Sequence, residues 1–182
     1  MKSSHFVIRP ATLADARQVI ELISFADEHA LLYLTGKGTL AEAQQVYLQG
    51  FGREDVYYSY LFTQVCFINE RLAGCILAFP GFLEPTFISQ AVSVFADVRE
   101  ADDDELYIDS LAVYPEFRGQ QLSEKLIEAA KIQAKTYALG KLSLLADDTK
   151  PHLEKMYKSY GFAVANKIIL EGVSHKKMTL LI

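Results

Sequence analysis

The stretch "LAVYPEFRGQQLSEKL", residues 111–126, runs from an apolar segment through a proline and an Arg-Gly pair into a helix start. Upstream, "DELYIDSLAVYP" is rich in apolar and β-branched residues. It reads as a strand central to a sheet, ended by Pro115. Downstream, Leu122, Leu126, Ala129, Ala130, Gln133 and Tyr137 mark one face of an amphipathic helix over 122–138, with Gly140 as its stop. "KLSLLADD" then reads as a second buried strand. Strand, helix, strand is a crossover unit, so these two strands are expected to be parallel. The junction also has a chemical meaning. The first N–H groups of a helix lack intrahelical partners and carry the positive end of its dipole, which suits an anion. Gly119 lets backbone approach a ligand, Arg118 adds a fork of donors, and Ser123 adds a hydroxyl. The chain has neither G-x-x-x-x-G-K-S/T nor G-x-G-x-x-G, which disfavours the common nucleotide-phosphate binders.

Outward from this unit the chain alternates hairpins and helices. Residues 5–9 read as a first strand. "TLADARQVIELISFADEHA" reads as one helix, with Thr12 as N-cap, Asp15 in a capping-box position, and Ala16, Val19, Ile20 and Ile23 at helical spacing. "YLTGKGT" is a loop, and "TLAEAQQVYLQGF" a second helix. "YYSYLFTQVCFINERLAGCILAFPG" reads as two strands around an "NER" turn. Residues 80–100 read as irregular, with room for a short helix. "KPHLEKMYKSYGF" is a helix opened by Pro151 and closed by Gly161, and "VANKIILEG" and "HKKMTLLI" form a final hairpin. The expected architecture is one α/β (α+β) domain over residues 1–182: a mixed sheet of about seven strands with helices on both faces.

Composition narrows the function classes. A net charge of −5 argues against nucleic-acid binding. No apolar run reaches the roughly 18 residues of a membrane span, and "MKSSHFVIRP" lacks a signal-peptide core, so a cytoplasmic location is expected. With Glu70 and Arg71 at the centre of a tight turn, Cys66 and Cys75 would lie opposite each other. In a reducing compartment they are expected as buried thiols. No His, Cys or Asp cluster has metal-ligand spacing, so no metal is expected. His29 and His152 read as surface or capping residues, and the acidic run "READDDELY" as a solvated stretch.

"YIDSLAVYPEFRGQQLSEKLIEAA" resembles the acyl-CoA-binding segment of the GNAT N-acyltransferase superfamily. There a "LAV-x-P-x-x-R-G" run leads into a loop whose amides hold the CoA pyrophosphate. "VIRPATLADARQVIEL" resembles that family's first strand and helix, the hairpin around "NERLAG" its second and third strands, and "MYKSYGF" its "LYEKLGF" segment. The likeness spans nearly the whole chain. Against R-x-x-G-x-G/A, Arg118 and Gly119 fit, Gln121 stands at the second glycine, and Ser123 stands at Gly or Ala. Lys150 stands where many members carry Asn. A Cβ at Gln121 narrows the allowed backbone angles.

The resemblance implies an N-acetyltransferase that moves an acetyl group from acetyl-CoA to a primary amine of a small molecule or peptide by direct attack. The alternative is an acyl-CoA-binding module without turnover. The family's sheet splays at the acyl-CoA site, between the strands at 106–113 and 141–146. Leu111, Ala112 and Val113 would then bind the pantetheine arm and the carbonyl, and Arg118, Gly119, Gln120, Gln121, Leu122 and Ser123 the pyrophosphate. Tyr157 stands at the family's proton donor to the sulfur, with Tyr160 read as packing. Asp109, a carboxylate inside an apolar strand, is the candidate base or amine ligand. The alternation places it on one face with Tyr107, Leu111 and Val113, and Arg9 is a candidate partner. Glu105 is a second candidate. Asp27, Glu28 and Tyr33 are candidate amine-pocket residues, and the fold allows a homodimer.

Overall fold

The structure is a computed structural model that describes residues 6–90, 99–170 and 172–182. Seven strands form one sheet: β1 (Phe6–Pro10), β2 (Thr63–Ile68), β3 (Arg71–Pro80), β4 (Leu106–Val113), β5 (Lys141–Asp147), β6 (Ala163–Leu170) and β7 (Val173–Leu181). The helices are α1 (Ala16–Ala26), α2 (Glu28–Thr35), α3 (Leu40–Gly50), α4 (Glu84–Gln90), α5 (Leu122–Thr136) and α6 (Pro151–Ser159). Strand order is β1-β2-β3-β4-β5-β7-β6, so β4 is central, as its apolar run predicts. Among the described residues only β4 and β5 pair in parallel, as the crossover through α5 requires. One apolar cluster lies under α1, α2 and α3, and a second lies under α5 on the opposite face. Among the described residues no helix is long and apolar enough to cross a membrane.

Local chemistry fixes the element ends. Asp15 accepts from the backbone N–H and hydroxyl of Thr12, and a bidentate pair with Arg9 ties the start of α1 to β1. That occupies Arg9, so it is no partner for Asp109. The first helical segment is two helices, not one. Asp27 leaves helical geometry at φ −154° and its carboxylate accepts from Ala30 N–H, opening α2. α5 is closed by Ala138 at φ +57°, not by Gly140. Leu139 N–H bonds back to the Ala134 carbonyl and Ala138 N–H to that of Lys135.

The hairpin turn is centred one residue earlier than expected, on Asn69 and Glu70, both at positive φ. A register slip between Cys66 and Phe67 then alters the cysteines. Cys75 faces Val65 and Cys66 faces Gly74, so the two thiols lie on opposite faces of the sheet, free and buried. Residues 57–62, expected as strand, precede β2 as turn and 3-10 helix. The irregular segment does hold a short helix, α4. Residues 91–98, and His5 of the expected first strand, lie outside the described residues.

The acidic run is bound rather than simply solvated. Lys177, itself buried, pairs with Glu105 at 2.7 Å and Asp102 at 2.8 Å, and Lys141 pairs with Asp104 at 2.8 Å. These lysines from β7 and β5 hold the segment before β4 at the level where β4 and β5 join. Glu105 is fully buried and ion-paired there, which removes it as a free base.

Candidate active site

β4 and β5 pair only at Leu106–Leu142 and Tyr107–Ser143. Beyond these two pairs they part, while β3 stays on β4 up to Val113. The edge of β4 that faces β5 is therefore open from Ile108 onward. Tyr114 N–H donates to the Ala73 carbonyl. Antiparallel alternation then turns the N–H of Ala112 toward β3 and those of Leu111 and Val113 into the gap.

The strand-to-helix loop borders this edge. Gly119 has φ +77° and open space around it, and Gln121, directly before α5, has φ +58°. Among the described residues, the N–H groups of residues 119–124 have no hydrogen-bond partner, and the first bond into the helix comes from Lys125 to the Gln121 carbonyl. These donors, the α5 dipole and the exposed Arg118 guanidinium make an anion cradle. Arg118 Nε reaches the Val113 carbonyl at 3.4 Å, which links the loop to the open strand. Ser123 sits half-buried in the first turn. Gln121 thus adopts the backbone that the sequence motif reserves for glycine. A left-handed L-residue costs about 1–2 kcal/mol. Gln121→Gly is expected to raise Tm by about 2–8 °C, measured by thermal unfolding. An unchanged or lower Tm would contradict the assignment.

Asp109 lies where the pairing of β3 and β4 slips. Leu77 faces Ser110 and Ala78 faces Ile108, so Asp109 is the extra residue of a β-bulge. The bulge reverses the alternation. Tyr107 and Asp109 lean toward the α1 face, whereas Leu111 and Val113 pack on the α5 face. The shared face expected from sequence therefore holds for Tyr107 alone. The Ser110 hydroxyl donates to the Asp109 carboxylate at 2.8 Å. Protein crowds Asp109, yet solvent reaches it through the cleft. Its pKa is pushed up to about 6, first by desolvation, with Asp27 and Glu84 adding negative charge and Ser110 opposing. Because water screens an open cleft, the shift is fully expressed only when a ligand fills it.

Around Asp109, besides Tyr107, stands a group of tyrosines that the sequence does not announce. Tyr47 and Tyr57 share a short hydroxyl hydrogen bond, Tyr47 stacks on Tyr58 with centroids 4.1 Å apart, and Tyr107 donates to Glu100. Burial first, then Tyr47 beside Tyr57 and Glu100 beside Tyr107, and after these the Asp109 charge, hold the Tyr57 and Tyr107 hydroxyls above the usual phenol range. "YYSYLF" reads as strand by β-propensity, and nothing local announces that its rings meet Tyr47 on α3 and Phe79 on β3.

Tyr157 packs against the α5-face cluster, edge-on to Phe162 at 5.8 Å, and Tyr160 packs nearby. Among the described residues its hydroxyl has no hydrogen-bond partner. Burial pushes its pKa up to about 12, so it holds its proton at neutral pH. Asp27 caps α2, exposed, and its charge is felt at Asp109. Tyr33 stacks on His29, whereas Glu28 is exposed in the first turn of α2 with no contact toward Asp109. His152 is exposed at the start of α6. The carboxylates of Asp102, Asp104 and Glu105 lie within 4.8 Å of one another, and each is already paired with Lys141 or Lys177.

The fold is shared with solved acetyltransferases. An N-acetyltransferase from Staphylococcus aureus Mu50 superposes with a TM-score of 0.78 at 21% identity, covering 96% of this chain and 100% of that one. A spermidine N-acetyltransferase from Vibrio cholerae gives 0.63 at 14% identity, over 97% and 93%. An aminoglycoside acetyltransferase in complex with coenzyme A gives 0.64 at 16%, over 97% and 95%. No curated protein matches the chain. The family model for the acetyltransferase (GNAT) domain matches residues 88–182, more than half of the chain. That span carries β4, the loop at 118–123, α5, β5 and α6, and by this match the chain belongs to the GNAT acetyltransferase family.

Proposed function

We propose that the protein transfers an acetyl group from acetyl-CoA to a primary amine of a small molecule or peptide by direct attack. The observation that carries this reading is the parting of β4 from β5 directly beside a loop of unpartnered N–H groups. A pyrophosphate fits the loop at 118–123, and the pantetheine arm fits the open edge of β4, where Leu111 and Val113 offer N–H groups. A thioester drawn into the gap meets Asp109 from the α1 face and Tyr157 from the α5 face.

The roles follow from the chemistry. The amine lone pair attacks the thioester carbon, and the N–H groups at the gap receive the developing oxyanion. Asp109 accepts the proton that the amine sheds, directly or through water. The C–S bond breaks and Tyr157 gives its proton to the departing thiolate. Asp27 lies within electrostatic reach of Asp109 on the same side, which supports an ammonium arriving there before it is deprotonated.

The test is a thermal shift with acetyl-CoA on the wild type and on Arg118→Glu. A ligand at about 100 times its Kd adds roughly 2.7 kcal/mol to the folded form. In a domain of this size that moves Tm by about 5–10 °C. The shift is expected in the wild type and lost in the variant. No shift at millimolar acetyl-CoA would end the reading. A shift without CoA thiol release across an amine panel would favour a binding module.

A further inference from the structure

Gln133 sits on the buried face of α5 at 7% exposure. Its Nε2 donates to the Ala78 carbonyl at 2.9 Å, and its Oε1 is buried with no partner among the described residues. A glutamine that satisfies one group while orphaning another is a poor way to join a helix to a sheet. A leucine or methionine would fill the space without burying an amide.

What the amide touches gives it a purpose. Ala78 faces Ile108, immediately beside the bulge that contains Asp109. β2 ends at the Thr63–Leu77 pair, so it offers Ala78 no ladder partner. Gly81 N–H donates to the Glu105 carbonyl. By alternation the Ala78 carbonyl therefore points away from β4, toward the side that β2 has vacated. Gln133 supplies the missing donor and fastens β3 to α5 at the level of the bulge. A bulge is relieved by a one-residue slip of one strand, and such a slip turns side chains to the other face. Here it would carry Asp109 away from the α1 face.

We propose that Gln133 is a positioning residue for the acetyl transfer: its amide pins β3 beside the bulge and so holds the Asp109 carboxylate on the amine side of the sheet. This rests on the acetyltransferase reading for the role of Asp109, but the placement itself can be tested without activity.

Gln133→Met keeps the volume and removes the donor. It deletes one orphan, Oε1, and creates another, the Ala78 carbonyl, so Tm is expected to stay within about 3 °C of wild type. The readout is the Asp109 carboxyl titration, followed by carbon NMR and assigned with Asp109→Asn. The groups that face Asp109 are Ser110 and Tyr107 on β4, Tyr47 on α3, Tyr57 before β2, Asp27 at the start of α2 and Glu84 on α4. In Gln133→Met the carboxyl is expected to be about tenfold more dissociated at a given pH below its midpoint. With an amine substrate, kcat is expected to fall about tenfold, KM for acetyl-CoA to stay within twofold, and the acid limb of the rate to move to lower pH with the titration. An Asp109 titration identical to wild type overturns the proposal, whatever the activity. So does an activity loss that tracks melting alone. If the wild type acetylates no amine, the acetyltransferase reading fails, and the titration still decides whether Gln133 places Asp109.

Discussion

Asp109→Asn is expected to lower kcat/KM for the amine by about 10²–10³-fold at pH 7 while leaving the acetyl-CoA thermal shift intact. The amide keeps the size and the Ser110 contact but accepts no proton. The pH profile carries the sharper signature. The Asp109 carboxyl is held up at about 6, so it works as a base only once its proton is lost. The wild-type rate should climb with pH through about 6 and level off above it, and the variant should lack that limb. Stability follows the opposite sign. A carboxyl with a raised folded pKa stabilises the fold where it stays protonated, so with acetyl-CoA filling the cleft this contribution fades as pH rises from about 4 to about 6, and in the open, water-screened cleft the fade is smaller. Tyr157→Phe should instead lower kcat while keeping the acid limb, because Tyr157 acts at the sulfur. A variant of Asp109 with full activity would remove it from the mechanism.

Gly81→Ala is expected to cost more than about 3 kcal/mol, a fall in Tm of about 6–12 °C by thermal unfolding. A Cβ on Gly81 would stand 1.9 Å from the Asp102 carbonyl oxygen and 3.0 Å from the Ala101 Cβ. Both obstacles are main chain or directly attached to it, and neither can swing aside. Gly81 N–H is bonded to the Glu105 carbonyl, Arg99 holds the Gly81 carbonyl at 3.0 Å, and Lys177 anchors Asp102 and Glu105. The clash therefore falls on a segment pinned from three sides, at the base of the splay. A loss under about 1 kcal/mol would mean that this segment yields freely.

The two predictions differ in how far the sequence announces them. Asp109 was visible as a carboxylate in an apolar strand, but the burial expected there is only partial, since the cleft leaves the carboxylate open to solvent. Its direction was not visible, because a bulge inserts one residue without a local signature and reverses every side chain beyond it. Gly81 carries no local mark in the sequence. Its constraint comes from Asp102, a residue brought alongside only by the pairing of β3 and β4. The cysteines make the same point. A register slip between Cys66 and Phe67, which has no local signature, sent the two thiols to opposite faces.

By itself the sequence determined the seven strands, the parallel crossover at β4 and β5, the helices on both faces and the loop at 118–123. Hydrophobic period, caps and punctuation are local, and each is written in a few consecutive residues. Tertiary structure alone decided which way Asp109 faces, which tyrosines surround it, why Gln133 lies in an apolar interface, and that Lys141 and Lys177 pair with the acidic run. Those outcomes depend on registers and contacts between segments far apart in the chain. Their energies are set by burial and pairing, which no single segment contains.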